Sequence, residues 1–214
     1  MAPRGRLIAL EGIDGCGKTT QARALSGVLG ARLTHEPGAT DVGAQLRRLL
    51  LAPDSPPPTP RAEALLMSAD RAEHVTLVLE PALAAGEWVV TDRYAASTIA
   101  YQGYGRGLDP AGLAELVSWA TAGLAADLSI LVDVGVDVAA ARLAATGGRG
   151  ADRMEQLGPE FAARVRQGFL DQAAGDPVHW LVVDGSAEVG ALTAHIVASV
   201  HERLGDAPAA GDGR

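Results

Sequence analysis

Asparagine is absent from this sequence, lysine and cysteine each occur once, and aromatic residues make up 4% of the chain. One cysteine excludes an internal disulfide framework and any cysteine-based zinc cluster. Without asparagine or a second lysine there is no N-K-x-D element for reading guanine, and none of the two-lysine loops of partition-type ATPases. No apolar run reaches the ~18 residues that a membrane span requires. The run before Glu11, Leu7 to Leu10, is too short for the core of a signal peptide. Basic charge is also in deficit: 26 acidic residues face 18 basic ones, a net charge of −8. A nucleic-acid surface would need the opposite balance. The expectation is a soluble cytoplasmic protein with neither membrane nor nucleic-acid partner. Its 214 residues fit one domain, 1–204, with a core of Ala, Leu and Val.

Against these shortages stands one dense stretch, EGIDGCGKTT, residues 11–20. Gly12, Gly17, Lys18 and Thr19 satisfy the phosphate-loop pattern G-x-x-x-x-G-K-[ST]. The glycines let the backbone curl tightly and approach an anion, so that successive N–H groups point inward and a helix N-terminus follows. The whole loop, Gly12, Ile13, Asp14, Gly15, Cys16, Gly17, Lys18 and Thr19, is then the candidate ATP-phosphate site. Lys18 would reach the β and γ phosphates, and the Thr19 hydroxyl would hold a magnesium ion. Everywhere else the chain uses arginine for positive charge. A slim point charge suits the inside of a loop wrapped round a phosphate better than a wide planar fork. Cys16 reads as a small inert filler.

Short apolar runs at Leu7–Leu10, Leu33–His35, Trp88–Thr91, Leu128–Val132 and Trp180–Val183 predict five strands. Helices are expected over 21–29, 41–51 (capped by Asp41), 61–83 (bent or broken at Pro81), 97–101, 113–121, 138–145, 161–173 and 189–204. Residues 52–60 carry four prolines in five positions and read as a rigid loop. Residues 103–110 and 147–153 read as glycine-rich loops, and 205–214 as a disordered tail. Strands alternating with helices predict an α/β, doubly wound parallel sheet whose site lies at the carboxyl ends of the strands. Asp14, Glu36, Asp92 with Arg93, and Asp133 all fall just after strands.

Asp92 stands where phosphate-loop proteins place a magnesium-associated carboxylate, and the adjacent Arg93 can clamp a second anion. Arg149 and Arg153, four residues apart, are placed to bring positive charge to a transferred phosphoryl group. Arg71, flanked by Asp70 and Glu73, reads by its neighbours as part of a surface ion-pair face. The five histidines show no metal-ligand spacing. An acceptor phosphate is already anionic and needs no general base, so alignment and charge neutralisation would suffice.

The segments EGIDGCGKTT, EPGAT, LLMSADRAEHV, VVTDRYAASTIAYQGYGRG and RGADRMEQ, in this order, resemble bacterial thymidylate kinase from about Leu7 to Val183. The resemblance implies a phosphate-loop nucleoside monophosphate kinase with a short arginine-bearing lid, about 146–156. It implies transfer of the γ-phosphate of ATP to dTMP with magnesium, and a homodimer. By the same resemblance Asp14 sits near the acceptor 3′-hydroxyl. Arg93 holds the dTMP phosphate, with Arg47 a second candidate. Arg71 hydrogen-bonds the thymine carbonyl, Thr98 touches the base edge, and Tyr101 crowds the 2′ position. Ser97 and Gln102 complete the acceptor set. Arg149 and Arg153 match the lid arginines of the subtype whose phosphate loop lacks one, in agreement with Gly15 after Asp14. Two positions depart from the family: Met67 stands where a thymine-stacking Phe is common, and H-E-P-G-A-T replaces R-E-P-G-G-T, so that His35 stands for an Arg.

Overall fold

The computed structural model describes residues 4–145 and 153–207. Five strands, β1 (Leu7–Glu11), β2 (Arg32–His35), β3 (Val89–Asp92), β4 (Leu128–Asp133) and β5 (Trp180–Asp184), form one sheet in the order β2-β3-β1-β4-β5. Every neighbouring pair is parallel. Parallel strands cannot be joined by hairpins, so each link crosses over through helix and both faces are covered. The central strand shows the consequence, for all five residues of β1 are buried. Leu7 and Ala9 pack on one face with Val75, Leu79 and Leu83, while Ile8 and Leu10 enter the larger core with Leu25, Ile130 and Ile196. The register sets Leu10 beside Asp92 and Ile130, and His35 beside Asp92. The loops that follow β1, β2 and β3 therefore leave from one edge.

The helices are α1 (Lys18–Leu29), α2 (Asp41–Leu51), α3 (Pro60–His74), α4 (Glu80–Ala84), α5 (Ala95–Thr98), α6 (Pro110–Ala120), α7 (Val136–Ala145), α8 (Gly158–Gly175) and α9 (Val189–Leu204). No helix of the described residues is long and apolar enough to cross a membrane.

Three expectations are corrected. Thr40, not Asp41, caps α2: its Oγ1 accepts the Gly43 N–H, and Asp41 is instead the acid of the first turn. The break expected at Pro81 lies just before it, as a π-helical turn over Val75–Leu79 that links α3 to α4. Proline lacks an N–H and crowds the carbonyl four residues back, and a widened turn accommodates both. The glycine-rich loop expected over 103–110 begins later, because a π-helix runs from Ile99 to Gly105. Gly105 is there for packing: a Cβ on it would come within 2.6 Å of the Phe161 ring on α8. The expected lid and tail fall largely outside the described residues.

Candidate active site

Gly12 to Thr19 join β1 to α1. Gly17, at φ 99°, stands before α1 without a side-chain cap, and the first turn carries no acid. The first N–H groups of the helix are thus left for an anion. Gly15 has φ +83°, and a Cβ there would meet the Ala139 carbonyl oxygen at 2.4 Å. An arginine cannot stand at this position, which is the physical content of the Asp14-Gly15 pair. Ile13 and Cys16 turn their side chains into the core. Burial pushes the Cys16 thiol up, so it remains a neutral filler. Lys18 is buried as well, with Nζ 3.3 Å from Asp14 Oδ1 and 3.5 Å from the Ile13 carbonyl oxygen.

Asp92 ends β3 opposite Thr19, whose hydroxyl donates to its Oδ2. Its other oxygen, Oδ1, is buried and has no hydrogen-bond partner. A buried carboxylate oxygen left unpaired beside a hydroxyl is a donor set suited to a hard cation that keeps water and phosphate as its other ligands. Among the described residues no cluster of three or more His, Cys, Asp or Glu could hold a metal by itself.

Arg93 adopts φ 75°, in the left-handed region that is costly for a bulky side chain. Two bonds hold it there: its N–H donates to Leu10 and its carbonyl accepts from Thr91 Oγ1. The guanidinium crosses the end of the sheet to donate to the Gly12 carbonyl (2.9 Å), Ser97 Oγ (3.2 Å), Tyr101 Oη (2.8 Å) and Asp14. Asp14 also accepts from the Tyr101 hydroxyl at 2.8 Å. Burial alone would raise its pKa, but the charges of Arg93 and Lys18 and the Tyr101 bond hold it well below the usual carboxylate range. Beneath them lies Glu11, fully buried, accepting from the Tyr94 N–H and the Ser97 hydroxyl. Burial raises it to about 7 despite Ser97 and Arg93.

The surface reading of Arg71 is overturned. It is 3% exposed, and donates through Nε to Glu36 (2.9 Å), through Nη1 to Thr98 Oγ1 (2.8 Å) and through Nη2 to the Tyr94 carbonyl (3.0 Å). The other oxygen of Glu36 holds His74 Nδ1 at 2.8 Å. Asp70, bonded to the Gly38 N–H, is raised to about 6 by burial and by the charge of Glu36. Met67 stands one turn before Arg71 on the same face of α3. Arg47, on α2, donates to the Pro37 carbonyl. His35 is half-buried, and burial together with Arg47 lowers its pKa, which favours the neutral ring. One cleft of about 630 Å³ runs from Lys18 and Thr19 past Arg93 and Tyr101 to Arg71, Met67, Thr98 and Gln102. Of the expected donor residues, Asp14, Gly15, Lys18 and Thr19 line this cleft together with the expected acceptor residues, whereas Ile13 and Cys16 face the core and Gly17 lines a second cavity.

Arg149 lies outside the described residues. Arg153 is turned toward α2 and α3: it donates to the Leu50 carbonyl (Nε 3.0 Å), stands 3.6 Å from Glu63, and leaves its buried Nη1 without a partner. Sequence reasoning missed Arg142, which bonds the carbonyls of Cys16 and Gly185 and lines a second cavity of about 230 Å³ beside Gly17 and Thr20. An arginine among alanines on a helix gives no motif that could have found it. Glu36 was visible as a strand-end acid, but its task as the anchor of Arg71 was not.

Comparison with known proteins agrees with this geometry. The thymidylate kinase family model matches residues 10–196. The thymidylate kinase of Synechococcus sp. (strain RCC307) is 52% identical over 179 residues, 78% of this chain and 83% of that one. That of Cutibacterium acnes is 48% identical over 185 residues, covering 84% and 88%. The crystal structure of thymidylate kinase from Ehrlichia chaffeensis superposes with a TM-score of 0.74 at 30% identity, over 92% of this chain and all of that one. A phosphate loop facing a buried arginine wall across one cleft, together with these matches, places the chain in the thymidylate kinase family.

Proposed function

We propose that this protein transfers the γ-phosphoryl group of ATP to the phosphate of dTMP, giving dTDP and ADP. The observation that carries the reading is the continuous cleft joining Lys18 to Arg93 and Arg71. An oxygen of the dTMP phosphate attacks the γ-phosphorus as the bond to the β-phosphate oxygen breaks, and ADP leaves with that oxygen. The acceptor oxygen is anionic at neutral pH, so the protein supplies alignment and charge rather than a base. Gly12 to Thr19 bind the donor phosphates, and the cavity beside Arg142 takes the nucleoside end of ATP. Asp14, fixed by Arg93 and Tyr101, faces the acceptor sugar. Arg93 and the more peripheral Arg47 hold the acceptor phosphate, with Ser97 buttressing Arg93. Arg71, Thr98, Gln102 and Met67 meet the base, Met67 covering a ring face with its polarizable sulfur.

Thr19 and Asp92 would hold Mg²⁺, which supplies neutralisation of phosphate charge when bound. Lys18 and Arg149 stabilise the transferred group. Arg153 joins them only by releasing Leu50 and Glu63, so its share is the smaller one. The protein works in the cytoplasm as a homodimer. Support for the dimer comes from exposed apolar side chains on three helices that pack side by side, Leu49 on α2, Leu65 on α3 and Trp119 on α6.

The test is a panel of nucleoside monophosphates with ATP and magnesium. Formation of dTDP faster than any other diphosphate is the expected result. Preference for any acceptor other than dTMP, or no transfer, overturns the reading.

A further inference from the structure

Glu63 lies on α3 one turn before Met67 and two before Arg71, yet it belongs to neither substrate wall. It is fully buried. Both oxygens are bonded: Arg106 donates through Nε to Oε1 (3.1 Å) and through Nη2 to Oε2 (2.8 Å), and Arg153 stands 3.6 Å from Oε2. Gln102 donates its Nε2 to Oε1 at 3.0 Å. A carboxylate gripped by guanidinium groups is an acceptor only. The amide of Gln102 is therefore forced into one of its two orientations, with NH₂ toward Glu63 and Oε1 turned away from it. Gln102 lines the cleft, and no bond to its Oε1 occurs among the described residues. The base end of the cleft thus combines a fixed acceptor at 102 with the donors of Arg71.

A pyrimidine-2,4-dione offers the complement, an N3–H donor between two carbonyl oxygens. A 4-aminopyrimidine offers a lone pair at N3 and an NH₂ group, which would face the Gln102 oxygen and the Arg71 donors mismatched. Resting on the reading of the cleft as a pyrimidine-nucleotide acceptor site, we propose that Glu63 is a positioning residue for base selection. By locking the Gln102 amide it sets the wall to accept an N–H, favouring thymine or uracil over cytosine.

In Glu63→Gln the side chain can donate as well as accept, and Gln102 is released to turn its NH₂ to the cleft. The readout is the ratio of kcat/KM for dTMP to that for dCMP, with the KM for ATP and thermal melting measured alongside. The ratio is expected to fall about 10-fold, the scale of one mismatched buried hydrogen bond, through the KM of the acceptor, with the ATP KM unchanged. Arg106→Gln removes the same ion pair but leaves Glu63 facing Gln102, and is expected to keep the wild-type ratio. An equal fall in both variants means a general packing effect and overturns the proposal, as does an unchanged ratio in Glu63→Gln. Should Glu63→Gln fail to fold, Glu63→Asp decides instead, because it keeps the negative charge while drawing the carboxylate back from Gln102. An Asp variant with the wild-type ratio overturns the proposal. If the wild-type protein itself does not prefer dTMP to dCMP, the parent reading of the acceptor has failed, which is a separate outcome.

Discussion

On the donor side of the cleft, eight consecutive residues from Gly12 to Thr19 present backbone amides, one lysine and one hydroxyl. On the proposed acceptor side, Glu36, Arg71, Arg93, Thr98 and Gln102 arrive from the ends of strands and from separate helices, and they present side chains to the cleft. The donor half needs glycines for its path and then a single charge. The acceptor half needs each arginine to find its anion: buried Arg71 with buried Glu36, half-buried Arg106 with buried Glu63, and half-buried Arg93 with half-buried Asp14. Removing one partner of a buried pair such as Glu36 and Arg71 leaves an uncompensated charge, whereas exchanging Lys18 for Arg keeps a positive charge beside Asp14. A change in the donor half should therefore damage turnover, and a change in the acceptor half should damage binding and stability together.

The largest effect is expected at Lys18. Lys18→Arg should lower kcat by about 10²-fold or more, since a misplaced charge in a preorganised site forfeits most of its stabilisation. Its urea-unfolding curve should stay close to wild type. Near-normal turnover in this variant would remove the phosphate loop from the mechanism.

Glu36→Ala reverses the pattern. Arg71 loses its Nε partner and His74 loses its anion, and breaking a buried pair costs about 3–5 kcal/mol. The expected result is a large drop in the urea midpoint with a raised KM for dTMP and little change in that for ATP. A variant as stable as wild type would show that the Glu36–Arg71 pair is not what holds the acceptor wall.

The smallest effect is on the pH dependence of stability. Glu11 is raised from 4.5 to about 7, and Asp70 from 3.8 to about 6. Across the window from about 4.5 to 7 the folded protein keeps protons that the unfolded chain has released, so stability falls as pH rises. Asp14, held low by Arg93 and Lys18, has the opposite sign: its contribution is present at neutral pH and is lost only in strong acid. Glu11→Gln should flatten the slope between pH 5 and 7 in denaturation curves, leaving the part due to Asp70. An unchanged slope would show that Glu11 is not the group that titrates there.

The two halves also differed in how far they could be read. The path of the loop from Gly12 to Thr19 was legible because it is local backbone, written in the closely spaced Gly12, Gly15 and Gly17. All five strands were legible as well, since a strand buried on both faces is a short apolar run. Arg71 was misread from its neighbours because Asp70 and Glu73 look like surface partners, while its real partner is Glu36, 35 residues away. The last three residues of the π-helix, 103–105, were taken for loop because glycine usually marks flexibility, whereas here Gly105 admits the Phe161 ring.

By itself, the sequence determined the order of strands and helices, the phosphate loop with its lone lysine, and, through resemblance, the family. Tertiary structure decided which carboxylate answers which arginine, that Thr19 and Asp92 face each other across 73 residues, and that Glu63 orients Gln102. The reason is that hydrophobic period and turn chemistry act between near neighbours. Ion pairs and amide orientations are settled only when distant elements are packed into a space from which water is excluded.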